Sequence, residues 1–320
     1  MSELPSRRID RRHCLAAAGC AALAGMAGCR PSHAGPPRVD KVWGRRGISE
    51  GRFQRPRAIA VDKKDRLYIV DMTGRIQVFD AEGRFLRYWR TPAIERGKPV
   101  GIAIGQEGQV LVADTHYHRL LVYTPSGRRL PESTIGGEEG TGPGQFGFVT
   151  DAVQTADGFL YVGEYGQNDR IQKFDPQGRC VSQCGGHGDA PGQFRRPQSL
   201  KLGPDGRLWV ADACNHRIQI FDIEADPPKL VGLWGKPGTA PGCLQFPYDF
   251  AFDGRGGLLV CEFGNQRVQR FTLEGEPQGI WGEPGRLPGQ LSRPWGIVAD
   301  SRLRFHVLDT YNHRVQRLKI

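Results

Sequence analysis

Residues 204–222 read PDGRLWVADACNHRIQIFD. Asp205-Gly206 tolerates the positive φ of a tight turn. Leu208–Asp212 alternates as a strand does and ends on an acid, and Arg217 opens a second alternating run. Asn215-His216 lies in the short loop between them. Working outward, the same pattern recurs six times along the chain. The opening segments are RPRAIAVD (55–62), KPVGIAIG (98–105), FVTDAVQT (148–155), RPQSLKLG (196–203), FPYDFAFD (246–253) and RPWGIVAD (293–300). Fifteen residues after each anchor (Pro56, Pro99, Val149, Pro197, Pro247, Pro294) stands an acid: Asp71, Asp114, Glu164, Asp212, Glu262, Asp309. Four to six residues further on comes an arginine: Arg75, Arg119, Arg170, Arg217, Arg267, Arg314.

Each copy reads as four short strands, a to d. In the first they are Ala58–Asp62, Leu67–Asp71, Arg75–Asp80 and Arg84–Trp89. Gly-containing pairs such as Asp157-Gly158 and Gly256-Gly257 turn a into b, and Glu82-Gly83, Gln177-Gly178 and Glu274-Gly275 turn c into d. A period in the forties built of short strands predicts an all-β, six-bladed β-propeller of four-stranded antiparallel blades. The last copy has three strands, whereas Val39–Trp43 precedes the first anchor. The expectation is that this N-terminal strand completes the last blade and closes the ring, removing an open edge.

The copies resemble NHL repeats over residues 39–320, carried by PDGRLWVADACNHRIQIFD and by RPWGIVAD with HVLDTYNHRVQRL (306–318). The resemblance implies the propeller fold and leaves function open. Val149-Thr150-Asp151-Ala152-Val153 and Pro197-Gln198-Ser199-Leu200 also resemble strands of the peptidyl-hydroxyglycine amidating lyase propeller, a zinc enzyme. In that family the residue after the proline is a zinc-ligating His. Here the set is Arg57, Val100, Thr150, Gln198, Tyr248 and Trp295. A neutral amide is a poor substitute for imidazole, so a zinc site of the lyase type is not expected.

The N-terminal residues stand apart from the repeats. Arg11-Arg12-His13-Cys14-Leu15 resembles a twin-arginine export signal, and Leu15–Ala27 is an Ala/Gly-rich run too short for a permanent span. Met26-Ala27-Gly28-Cys29 resembles a bacterial lipobox, which implies lipidation at Cys29. The domain reading is therefore 1–29 export signal, 30–38 tether and 39–320 propeller. The expected location is extracytoplasmic, facing the periplasm, with the chain lipid-anchored to the envelope as a monomer.

The formal net charge is +10. Arg52, Arg55, Arg57, Lys98, Arg195, Arg196 and Arg293 flank the anchors on the d–a loops, which share a face with the b–c loops. A cationic face favours an anionic envelope ligand or protein partner. Nucleic acid is not expected, given export and the lack of RNP-like aromatic motifs. Five cysteines lie outside the N-terminal segment; a Cys214–Cys261 bridge between neighbouring blades is one reading. The repeated acid and arginine belong to every blade, and are read as structural. His116, His118, His216 and His313 fall on the b–c loops of different blades, three of them in the repeat's own Asn/His position.

The informative positions are those where blades differ. Directly after the anchors, the innermost strands carry Arg57, Gln198, Tyr248 and Trp295, and one residue later Asp151, Ser199 and Asp249. Alternation predicts that one of these two sets points to the channel. Asp151 and Asp249, in nonadjacent blades, would hold a cation such as Ca²⁺, or an amine. The rings and amides would line a site for a small polar ligand. The favoured function is a ligand- or protein-binding scaffold. The alternative is a metal-dependent lyase, lactonase or hydrolase working at the channel mouth.

Overall fold

A computed structural model describes residues 38–166 and 168–319. Six four-stranded antiparallel sheets form the blades of a propeller. In the first, Pro56–Val61, Leu67–Asp71, Arg75–Phe79 and Phe85–Arg90 run in order from the innermost to the outermost position. The sixth sheet holds Ile297–Ala299, Arg304–Asp309 and Arg314–Lys319, and its outer strand is the N-terminal Arg38–Trp43. That strand pairs antiparallel with Arg314–Lys319, Val42 facing Gln316 and Trp43 facing Val315. Strand b is buried along its whole length in every blade but one, where only its last residue is partly exposed, because it has neighbours on both faces. The outermost strands alternate between half-buried and exposed, as in Phe85–Arg90. The second blade departs from the pattern: its outer strand shrinks to Ile135–Gly136 after a single 3₁₀ turn at Pro131–Ser133.

The repeat residues lock each blade to its own entry loop. Arg217 Nε donates to Asp212 at 2.8 Å, and its terminal nitrogens donate to the carbonyls of Asp189, Ala190 and Gln193 at 2.7, 2.9 and 2.7 Å. Asp212 also accepts the Arg195 N–H at 2.8 Å, and Gln219 bridges Asp212 and the Gln193 carbonyl. Arg75, Arg170, Arg267 and Arg314 repeat this arrangement. The acid thus serves mainly the d–a loop of its own blade. Glu164 and Glu262 perform the same task, accepting the Gly147 and Gln245 N–H groups, so their extra methylene has no link to Asp151 or Asp249.

The histidines connect blades. His216 and His313 sit in left-handed positions after a 3₁₀ turn, and their Nδ1 atoms accept the N–H of Phe246 and Arg55 in the next blade, each at 3.0 Å. His118 holds the Gly147 carbonyl of the following blade at 2.8 Å. All five cysteines outside the N-terminal segment are free thiols. The Cys214–Cys261 pairing is therefore corrected: Cys214 faces solvent, whereas Cys261 packs in the core among Val268, Phe305 and Val307.

Candidate functional site

The expectation that one of two consecutive positions faces the channel does not hold. In most blades both do. The innermost strands carry a register shift between Pro56 and Ala58, Val149 and Asp151, Pro197 and Ser199, and Pro247 and Asp249. A β-bulge takes the intervening residue out of the ladder, so two successive side chains turn the same way. Arg57, Gln198 and Tyr248 therefore line the channel mouth beside Ser199 and Asp249; Asp151 and, from a strand without such a shift, Trp295 join them, whereas the Thr150 hydroxyl turns to the Pro197 carbonyl of the next blade. Gly101 lines it too, and only glycine fits there. A Cβ would lie 1.9 Å from the Thr150 carbonyl oxygen of the next blade.

Below the mouth sits a residue that the sequence reading missed. Lys201 Nζ lies 2.9 Å from Asp249 Oδ1. The Ser199 hydroxyl donates to the same oxygen at 2.8 Å. Asp249 Oδ2 accepts the Ile297 N–H at 2.8 Å, and Asp151 accepts the Leu200 N–H at 3.0 Å. The free edge of strand a points its N–H groups into the channel, and these carboxylates supply acceptors across to the neighbouring blades. Burial pushes the Lys201 ammonium down, yet the Asp249 and Asp151 charges outweigh it and hold the amine above its ordinary value. Burial raises Asp151 to about 6, while Lys201 pulls it back and Asp249 adds to the rise. The cation at Asp249 is thus the chain's own ammonium, with the Asp151 charge nearby. A signal for it was present: at the fourth residue after the anchor, Lys201 stands where the other blades have Ala60, Ala103, Val153, Ala251 and Val298. The space left is about 20 Å³, room for roughly one water.

Above this floor the mouth is walled by rings and guanidiniums. Tyr248 stacks on Phe263 with centroids 4.6 Å apart and meets Trp295 edge-on at 4.9 Å. Arg196 lies 4.8 Å from the Tyr165 ring and 5.2 Å from that of Tyr248. Arg293 lies 5.6 Å from Phe263 and 5.2 Å from Tyr311, and Arg55 covers Tyr311 at 4.8 Å. Arg57 covers Trp295 at 5.3 Å. The result is a cation–π ladder across several blades, which holds the arginines in place. Arg196 Nε donates to Gln198 at 2.8 Å. Burial lowers the pKa of Arg57, and nearby Arg196 and Arg55 lower it further. Burial likewise raises the Tyr248 phenol.

The other expected basic residues divide. Arg195 faces Asp189 at 3.7 Å on the surface, and Lys98 donates to the Ile94 carbonyl within its own loop. Arg52 is half-buried and outside the ladder; its backbone carbonyl serves Arg75 and Gln77. No cluster of three or more His, Cys, Asp or Glu side chains with metal-binding geometry occurs among the described residues. Cys29 lies outside the described residues.

The NHL repeat model matches residues 97–123, 194–221 and 291–318. Human NHL repeat-containing protein 3 is 30% identical over 191 residues, spanning 55% of this chain and 54% of that protein. Rat peptidylglycine alpha-amidating monooxygenase is 30% identical over 192 residues, 58% of this chain and 19% of the relative. The chain thus spans about a fifth to a half of these relatives. Among solved structures, a streptogramin B lyase superposes with a TM-score of 0.60 at 16% identity, covering 86% of this chain and 95% of the lyase. An auxiliary nutrient binding protein from Bacteroides thetaiotaomicron gives 0.64 at 14% identity, covering 83% and 69%. At such identities the likeness is one of fold.

Proposed function

The chain is an NHL-repeat six-bladed β-propeller, and from that premise we propose that it is a binding module whose channel-mouth face receives an anionic ligand or protein partner. The observation that carries this reading is the state of the mouth arginines. The repeat arginines are engaged with acids, whereas Arg55, Arg57, Arg196 and Arg293 have no carboxylate partner among the described residues. Positive charge gathered on loops of a rigid frame attracts anions, and loops are where such frames vary their specificity. Export through the N-terminal segment and anchoring at Cys29 belong to the same proposal and give the face an extracytoplasmic setting. A Cys29→Ser variant should then leave the membrane fraction, and its retention there would remove the anchor.

The rival reading is an enzyme, and the names of the lyase and monooxygenase relatives prompt it. Lys201 weakens its metal-dependent form. With the ammonium on Asp249 and its charge also acting on Asp151, Asp249 is already engaged by the chain's own cation. The test of the binding reading is charge reversal. With Arg55, Arg57, Arg195 and Arg196 changed to Glu, a folded protein should lose salt-dependent retention on an anionic matrix such as heparin–agarose. Equal retention by wild type and variant would sink it.

A further inference from the structure

Resting on the mouth as an anion-binding face, we propose that the ligand is a small organic oxyanion with at least two negative charges. One acid group meets the Arg57 guanidinium at the opening of the mouth, and a second is held at the rim by Arg55 and Arg293. Carboxylate and phosphate share this chemistry.

Three observations converge on it. First, the guanidiniums are ordered and free. Each lies over a ring, Arg57 on Trp295, Arg55 and Arg293 on Tyr311. A guanidinium over an aromatic face keeps its N–H edges as a planar fork, the geometry that grips carboxylate or phosphate with two hydrogen bonds. Arg75 and Arg217, by contrast, direct their forks at an acid and loop carbonyls. Second, the arginines sit at two depths. Arg57 lines the mouth and is half-buried, whereas Arg55 and Arg293 are exposed. A polymer lying across the rim would meet Arg55 and Arg293 and leave Arg57 unmet. A compact ligand at the opening reaches both levels, and the space beneath, about 20 Å³ or room for roughly one water, keeps it from passing further. Third, the charges repel. Arg55 and Arg196 depress the Arg57 pKa on top of burial, so the empty mouth holds like charge that a multiply charged anion would relieve. The Trp295 indole N–H, buried without a hydrogen-bond partner, is a further unsatisfied donor in the same wall.

Calorimetric titration of the full chain with acetate, succinate, citrate, pyrophosphate and a heparin oligosaccharide tests this. Citrate or pyrophosphate should bind about ten-fold or more tighter than acetate, since each added charge-assisted contact contributes on that order. Affinity should fall as salt rises. Arg57→Gln and Arg293→Gln should each weaken binding by about ten-fold or more. Arg57→Lys, which keeps the charge and loses the fork, should restore only part and shows that the loss is not misfolding. Preference for citrate assigns carboxylate, and preference for pyrophosphate assigns phosphate. If only the heparin oligosaccharide binds, weakened by Arg293→Gln and indifferent to Arg57→Gln, the anion-binding face stands and the small-ligand inference is overturned. If no anion binds better than acetate, the inference and the binding reading fall together.

Discussion

Lys201 is the residue on which the channel floor turns. It neutralises Asp249 and offsets Asp151 in a largely buried setting, its own side chain 27% exposed. Removing one member of a buried ion pair leaves the other charge uncompensated, at about 3–5 kcal/mol. Lys201→Met should therefore destabilise the propeller by that order in a denaturant melt. Adding Asp249→Asn should recover part of the loss; an additive double mutant would argue against direct coupling. Asp151 gives a pH signature. Its folded pKa of about 6 lies above the ordinary value of 3.8. The folded state therefore holds this proton more tightly than the unfolded state does. Stability from this group falls as pH rises between about 4 and 6, by up to roughly 3 kcal/mol, because ionised Asp151 is less at home in the fold. Asp151→Asn should flatten that slope, and an unchanged pH profile would show that Asp151 titrates elsewhere.

At the scale of the element, the bulge and the arginine lock divide the labour. The bulge in strand a turns both of its first residues to the channel, giving one short segment both a floor and a wall. The lock holds the loop that positions them. Arg217 joins Asp212 to three loop carbonyls, so Arg217→Ala should cost about 3–5 kcal/mol. In the second blade Arg119 hydrogen-bonds Asp114, whose other oxygen is buried without a partner, and otherwise covers the Tyr117 ring at 5.1 Å rather than the loop carbonyls. Arg119→Ala should therefore be milder than Arg217→Ala. Chemical melts of the two variants side by side decide this, and equal losses would mean that the loop carbonyls contribute little.

Across the whole molecule, the first and last segments meet through charge as well as through the sheet. Arg317 pairs with Asp40 of the N-terminal strand at 2.9 Å and with Glu82 of the first blade at 2.9 Å. Arg304 bonds Glu82 at 2.6 Å and Asp300 at 2.7 Å. These two arginines hold the Glu82 carboxyl down to about 2, below its ordinary value of 4.5. A depressed carboxylate contributes stability above its unfolded pKa and loses it as pH falls toward the folded one. Glu82→Gln should lower the melting temperature at pH 7, with an effect that shrinks as pH falls toward 2 and disappears below it; because Glu82 is half exposed, the effect should also shrink in salt. If the N-terminal strand closes the ring, deleting residues 38–43 exposes the edge of the last blade. The melting temperature should then fall by about 10 °C or more. An unchanged melt would show that the sixth blade stands on three strands.

The sequence by itself determined the architecture. Anchor, turn, acid and arginine recur in register, and such local patterns define strands and hairpins without reference to distant residues. It also picked out Arg57, Asp151, Gln198, Ser199, Tyr248, Asp249 and Trp295, because side chains that differ at equivalent repeat positions are not serving the blade. Only the tertiary structure decided what these residues do together. The bulges that turn both consecutive positions inward in the first, fourth and fifth blades depend on pairing with strand b, which alternation alone does not reveal. The Lys201–Asp249 contact joins residues 48 positions apart in different blades, and the ladder from Tyr165 to Arg55 is assembled by ring closure rather than by any run of sequence. Such contacts arise only when the blades are brought around one axis, and their distances set which charges are balanced and which remain free for a ligand.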